Sequence, residues 1–301
     1  MNKKEYFGAD GDLLWINFDT DETKNITFLQ EFGVDEEILA YSLDINERAR
    51  VEYDDLSDTF ILIFNVPKLE KIDNHYETIP ITFLIRNSQL VTISNSKNVY
   101  VVDLMTRYLE SHRSNSLFQF LFSTLFLIAD SYFPLVEEMN SERNRTNDKL
   151  KEKTTKQNLL GLSDLETGLV YFVSASKQNA ILLEQVKTLS IYRQLDQIEK
   201  EQLEDAIIEA KQLVEMTQLA TQILQQLSAT YNNVLNNNLN DTMKILTTLS
   251  ILLTVPTIVT GFFGMNMPLP LEHNVTGWLI TIAISICGWL GLSFVLSKIM
   301  K

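Results

Sequence analysis

Residues 245–263 carry no charged side chain, and neither do residues 278–296. Each run is about 19 residues, enough for an α-helix to cross roughly 30 Å of hydrocarbon. Two buried helices of a soluble protein would need a globular core able to take in two unbroken apolar runs of this length, and length argues against that reading. The chain is therefore expected to cross a bilayer, turn over residues 264–277 and return, with no other stretch spanning.

The basic residues orient the hairpin. Lys244 precedes the first run, Lys298 and Lys301 follow the second, and the connecting residues contain no Lys or Arg, only Glu272 and His273. By the positive-inside rule both termini are cytoplasmic and the connection faces outward, which gives a multi-pass protein of the plasma (inner) membrane. Residues 1–5 are not followed by an apolar core, so they do not form a signal peptide and the spans themselves direct insertion.

The mean hydropathy of −0.01 averages a polar body with an apolar tail. The net charge of −14 argues against nucleic acid as a partner, and reads equally as a surface that concentrates cations or as solubility alone. The only cysteine, Cys287, lies in the second run, and His75, His112 and His273 are far apart. A soft-metal site lacks its usual spacing, so any metal handled here meets oxygen ligands.

Before the hairpin the chain changes character near residue 100. Leu13 to Phe18, Thr59 to Val66, Ile79 to Ile85 and Leu90 to Ile93 read as strands, being rich in β-branched and aromatic residues between polar turns. Helices are expected through Phe28, Leu29 and Phe32, ended by Gly33, and around Ile38, Leu39, Leu43 and Ile45. The first 100 residues thus predict an α+β domain. Apolar spacing of three and four then predicts long helices over 102–150, 162–194 and 197–263, with breaks near Gly161 and Asp196. Leu117 to Ala129 is dense in Phe and Leu but too short to span, and reads as a buried core helix. The organisation expected is 1–100 as an N-terminal cytoplasmic domain, 101–196 as a helical region and 197–263 as a stalk helix continuing into the first span. A loop at 264–277, a second span at 278–297 and a tail at 298–301 complete it. Neither Gly nor Pro occurs from Ile198 to Val255, so a single rod is expected there, packed beside copies of itself.

In steps of three and four, the first span presents Asn240, Met243, Thr247, Ser250, Thr254, Thr257 and Gly261 along one seam and Ile245, Leu249, Leu252, Val259 and Phe263 opposite. Such a seam suits water along one face, or close packing against another helix. Two spans cannot enclose a channel, so a pore reading requires a closed ring of subunits. The Asn-rich stretch Asn232 to Asn240 lies where such a pore meets the cytoplasm, and equally reads as a solvated helix surface.

Gly264-Met265-Asn266 after the first of two C-terminal spans resembles the signature of the CorA-type divalent cation transporters. Trp15-Ile16-Asn17, Arg48 to Asp55, Met243-Lys244 and Gly261 extend the resemblance over essentially the whole chain. It implies a non-enzymatic, funnel-shaped homopentamer that passes Mg2+, with Co2+ or Ni2+ as further substrates, and that binds no organic cofactor. Gly264, Met265 and Asn266 then form the outer selectivity ring, and Asn240, Met243, Leu246 or Thr247, Ser250, Thr254, Thr257 and Gly261 line the path inward. Glu272 attracts cations in the outer loop. The family commonly carries Leu-Glu-Asp at the end of its second helix, whose Asp holds a regulatory magnesium against a stalk carboxylate; here Leu39-Ala40-Tyr41 stands there. Asp205, with Glu204, matches the stalk partner, and Asp44 is the nearest substitute for the missing mate. The alternatives are a zinc transporter of the same superfamily and a membrane-tethered coiled-coil or sensor protein without transport.

Overall fold

The computed structural model describes residues 3–21, 36–265 and 276–299; the helix expected through Phe28 to Phe32 lies outside them. Six strands, β1 (Lys3–Phe7), β2 (Leu13–Asp19), β3 (Arg50–Asp54), β4 (Thr59–Pro67), β5 (Thr78–Arg86) and β6 (Gln89–Ser94), form one sheet in the order β1-β2-β6-β5-β4-β3. Only β2 and β6 pair in parallel. The β5–β6 turn is set by Asn87 and Ser88, both at positive φ between the paired Arg86 and Gln89, the two-residue geometry that matches strand twist. Gly8 turns β1 toward β2 at φ +94°, where an added Cβ would lie 2.9 Å from Leu13 Cγ.

The four strands expected from the sequence are present, and two were missed. Both β1 (KKEYF) and β3 (RVEYD) are edge strands. Charge on an edge blocks sheet-to-sheet association, so an edge strand lacks the apolar density that marks a central one.

Each face of the sheet is covered. On one, Ile16, Phe18, Leu84, Val91 and Ile93 pack with Leu39 of α1 (Glu36–Leu43). On the other, Trp15 donates Nε1–H to Thr92 Oγ1 at 3.0 Å and meets Phe120 edge-on at 5.5 Å. Phe60 meets Phe118 in the same way.

The helices are α2 (Val99–Ser111), α3 (Leu117–Asp130), α4 (Phe133–Glu152), α5 (Lys156–Val186), α6 (Gln197–Phe263) and α7 (Gly277–Ile299), with a 3-10 turn at Ser190–Arg193. The single helix expected over 102–150 is thus three. Ser116 and Gln119 form a reciprocal capping box that starts α3, and Pro134 in the first turn of α4 fixes the second restart. Gly161 does not break the chain either: it lies inside α5, and the break falls earlier, where the Thr155 side chain accepts from Asn158 N–H. The break at Asp196 is as expected. Asp196 Oδ1 accepts from Glu199 N–H at 2.7 Å, Glu199 Oε2 accepts from Asp196 N–H at 2.9 Å, and Ser116 Oγ donates to Glu199 Oε1 at 2.5 Å, which ties the first turns of α3 and α6 together.

Among the described residues three stretches are long and apolar enough to cross a membrane: within Leu117–Glu152, within Gln197–Phe263, and Gly277–Lys298. The first was not expected to span, and in the fold it is two helices with half of its apolar window buried, including Phe120, Leu121, Phe122 and Leu125. No residue in the apolar windows of the other two is fully buried within the chain. The chain forms two compact units, Met1–Ala229 and Thr230–Lys301.

Within the first unit, β4 runs beyond the end of β3, since Arg50 pairs with Ile63 and the ladder goes no further. Asn179 of α5 supplies the missing partner. Its Oδ1 accepts from Asn65 N–H at 3.0 Å, its Nδ2 donates to Asn65 O at 2.8 Å, and Tyr132 OH donates to the same carbonyl at 2.9 Å. Asn179→Leu leaves the Asn65 amide without an acceptor in a buried site, at a cost of about 1–3 kcal/mol. A lowered thermal midpoint of the detergent-solubilised protein, with faster hydrogen exchange at Asn65, is the expected result; an unchanged midpoint would show that water takes the side chain's place.

Candidate functional site

The second unit holds the seam. In α6, Leu252, Val255, Pro256, Val259 and Phe263 are half-buried, whereas Asn240, Met243, Leu246, Thr247, Ser250, Thr254, Thr257 and Gly261 are all exposed. At 3.6 residues per turn the centres of the two sets lie about 180° apart. The half-buried side faces α7, where a Cβ added to Gly288 would lie 2.9 Å from Val255 Cγ1. Packing of the hairpin therefore leaves the seam uncovered. Gly288 escaped the sequence reading; a glycine inside an apolar helix is the signal of close helix approach that marks it.

Three hydroxyls of the seam are turned in a common sense. Ser250 donates to Leu246 O at 2.8 Å, Thr254 to Ser250 O at 2.9 Å and Thr257 to Leu253 O at 2.8 Å. With its hydrogen committed to the carbonyl one turn back, each oxygen presents only lone pairs outward. Pro256 has no N–H, so the Leu252 carbonyl loses its donor; the neighbouring hydroxyls of Thr257 and Thr260 bond to Leu253 O and Pro256 O.

At the far end, Gly264 N–H donates to Thr260 O at 2.9 Å and Met265 N–H to Phe262 O at 3.4 Å. A Cβ at Gly264 would lie 3.0 Å from Thr260 O, so the position favours glycine. Asn266 and Glu272 lie outside the described residues. At the other end Lys244 Nζ sits 3.3 Å from Asp241 Oδ1, and Asn232, Asn233, Asn236, Asn237, Asn238 and Asn240 are exposed.

Two of the residues expected to hold a regulatory metal, Glu204 and Asp44, meet other groups within the chain. Glu204 pairs with Lys187 at 2.5 Å, and Lys187 also reaches Glu184, itself 2.5 Å from Lys211. The bond to Glu204 raises the Lys187 ammonium above its ordinary range, and the bond from Lys211 lowers the Glu184 carboxyl. Asp44 Oδ1 accepts from Asn46 N–H at 2.9 Å in the turn after α1. Asp205 is exposed. Tyr41, in place of the family's Asp, donates to Glu37 Oε1 at 2.5 Å and lies under Arg50 at 4.3 Å. Among the described residues no three His, Cys, Asp or Glu side chains group as a metal site.

The family model described as CorA-like Mg2+ transporter protein matches residues 10–298. The cobalt/magnesium transport protein CorA of Methanocaldococcus jannaschii is 25% identical over 283 residues, which cover 91% of this chain and 86% of that protein. Among solved structures, the complete CorA magnesium transporter of M. jannaschii aligns with a TM-score of 0.80 at 23% identity, covering 98% of this chain and 96% of that one. The full-length CmaX protein aligns with a TM-score of 0.70 at 13% identity, covering 93% and 88%. An α+β domain, a series of long helices and a C-terminal apolar hairpin thus recur together, and the chain belongs to the CorA-like Mg2+ transporter family of membrane transporters.

Proposed function

We propose that the chain is a passive channel for hydrated divalent cations, Mg2+ foremost, built as a ring of subunits with the α6 seam facing the axis. The carrying observation is that α7 covers the side of α6 opposite the seam, so the polar face is left for something outside the chain. Magnesium sheds its waters reluctantly. The waters around a cation point their hydrogens outward, and the lone pairs of Ser250, Thr254 and Thr257 are suited to accept them. Two helices per chain cannot surround an ion, so the seam works only in a closed cyclic assembly, a homopentamer by family resemblance. Gly264, Met265 and Asn266 stand at its outer mouth, Glu272 draws cations to it, and both termini are cytoplasmic. A regulatory Mg2+ at this assembly's subunit boundary takes Asp205, with nearby Glu204, as its stalk ligands and Asp44 from the adjoining copy as their partner.

Flux into liposomes containing the purified protein tests the reading. An inside-negative potential favours entry of a divalent ion by about 4.6 kcal/mol per 100 mV. Mg2+ influx is expected to rise steeply with that potential and to need no proton gradient. Zn2+ flux without Mg2+ flux would favour the zinc branch, and no flux of Mg2+, Co2+, Ni2+ or Zn2+ would leave a tethered, non-transporting protein. In the same vesicles, flux through Asp205→Ala should stop falling as internal Mg2+ rises; an unaltered decline removes Asp205 from regulation.

A further inference from the structure

The turn between α4 and α5 reverses the charge of the chain. Residues 143–156 hold six basic side chains, Arg143, Arg145, Lys149, Lys151, Lys153 and Lys156, against Asp148 and Glu152, a net +4 in a protein of −14. Lys149, Lys151, Lys153 and Lys156 are all exposed. Lys151 lies 2.9 Å from Asp148 in a pair open to solvent on both sides, and among the described residues no salt bridge is recorded for the other three lysines.

Helix stability does not account for the cluster. Lys149 and Lys151 in the last turn of α4 do complement that helix's dipole. Lys156, however, is the first residue of α5, whose first turn has no acidic side chain, and a cation at a helix N-terminus opposes the dipole. The positive end of α5 and the lysines therefore reinforce one another on one small surface.

Its place in the first unit suggests what meets it. Ser176 Oγ lies 3.3 Å from Thr217 Oγ1, Glu184 2.5 Å from Lys211 and Lys187 2.5 Å from Glu204, so α5 runs antiparallel to α6. The α4–α5 turn consequently lies at the end of this unit toward which α6 advances, and the uncharged run that begins at Ile245 follows Ala229 by 16 residues in sequence. We infer that the α4–α5 turn is an electrostatic contact for the anionic phospholipid headgroups of the membrane in which the chain is anchored. Each Lys near such a layer contributes roughly a fivefold preference for it, attenuated by salt, while the acidic remainder of the unit is repelled. The contact rests on membrane anchoring alone and does not depend on the transport reading.

Hydrogen exchange on the full chain in lipid nanodiscs tests it. In discs with roughly a quarter phosphatidylglycerol, amides of 149–158 should exchange about tenfold more slowly than in pure phosphatidylcholine discs at about 50 mM NaCl, and the difference should vanish at about 500 mM. The Lys149→Gln, Lys151→Gln, Lys153→Gln, Lys156→Gln variant should show no lipid dependence, with exchange in the sheet unchanged. Equal exchange in the two discs at low salt overturns the inference. So does protection in phosphatidylcholine discs alone, which would mean that the acidic surface of a protein covers the turn. Protection there on adding inorganic phosphate overturns it in favour of a free-anion site.

Discussion

Asn266→Ala is expected to remove Mg2+ flux, by at least about a hundredfold, while particle size in detergent and thermal midpoint stay at wild-type values. The argument rests on what the seam lacks. From Met243 to Gly261 it offers hydroxyl lone pairs, a thioether and open backbone, none of which distinguishes Mg2+ from other hydrated cations. Recognition of a hydration shell requires oriented dipoles at a fixed spacing, and a ring of neutral carboxamides can provide them without the tight binding that carboxylates impose. Alanine removes both donor and acceptor. Asn266→Asp keeps the size and adds charge, so it should bind Mg2+ more tightly at the mouth and slow its passage, giving flux that saturates at lower Mg2+. Wild-type flux from the alanine variant would place selection elsewhere on the path.

The central strands were legible because burial on both sides leaves them mostly apolar, and the two apolar helices because neither run carries a charge. Phe60, Leu62, Ile63 and Phe64 of β4 and Phe83, Leu84 and Ile85 of β5 announce themselves. Edge strands β1 and β3 were not legible, since one side of each is exposed and their charges guard against association. Helix breaks at 112–116 and 131–132 were hidden by apolar spacing that continues across them, although the Ser116-x-x-Gln119 box and Pro134 were there to be read. Half of the candidate site could be seen as periodicity, namely the seam. The other half, which side α7 occupies, depends on Gly288 meeting Val255, a contact between residues 33 positions apart that no local pattern encodes. Likewise nothing in the sequence indicated that Lys187 would occupy Glu204.

That contrast between the two sides of α6 yields the second large effect. A Cβ added at Gly261 meets nothing within 4 Å, whereas one added at Gly288 lies 2.9 Å from Val255 Cγ1. Valine in a helix is held to nearly one rotamer, so it cannot swing aside. Gly288→Leu should therefore force α6 and α7 apart, cost about 1–3 kcal/mol through overpacking, and lower the yield of assembled protein and its flux together. Gly261→Leu should do the opposite to the isolated hairpin, since leaving glycine in a helix interior gains up to about 1 kcal/mol of helix propensity. If the seam faces the axis of a ring, the same leucine is repeated around the path once per subunit, and flux should fall at least about tenfold in protein of normal yield and particle size. Flux and assembly thus separate at Gly261 and move together at Gly288. Undiminished flux through correctly assembled Gly261→Leu would mean that the uncovered face of α6 is turned to lipid, and the ring would have to be built on another surface.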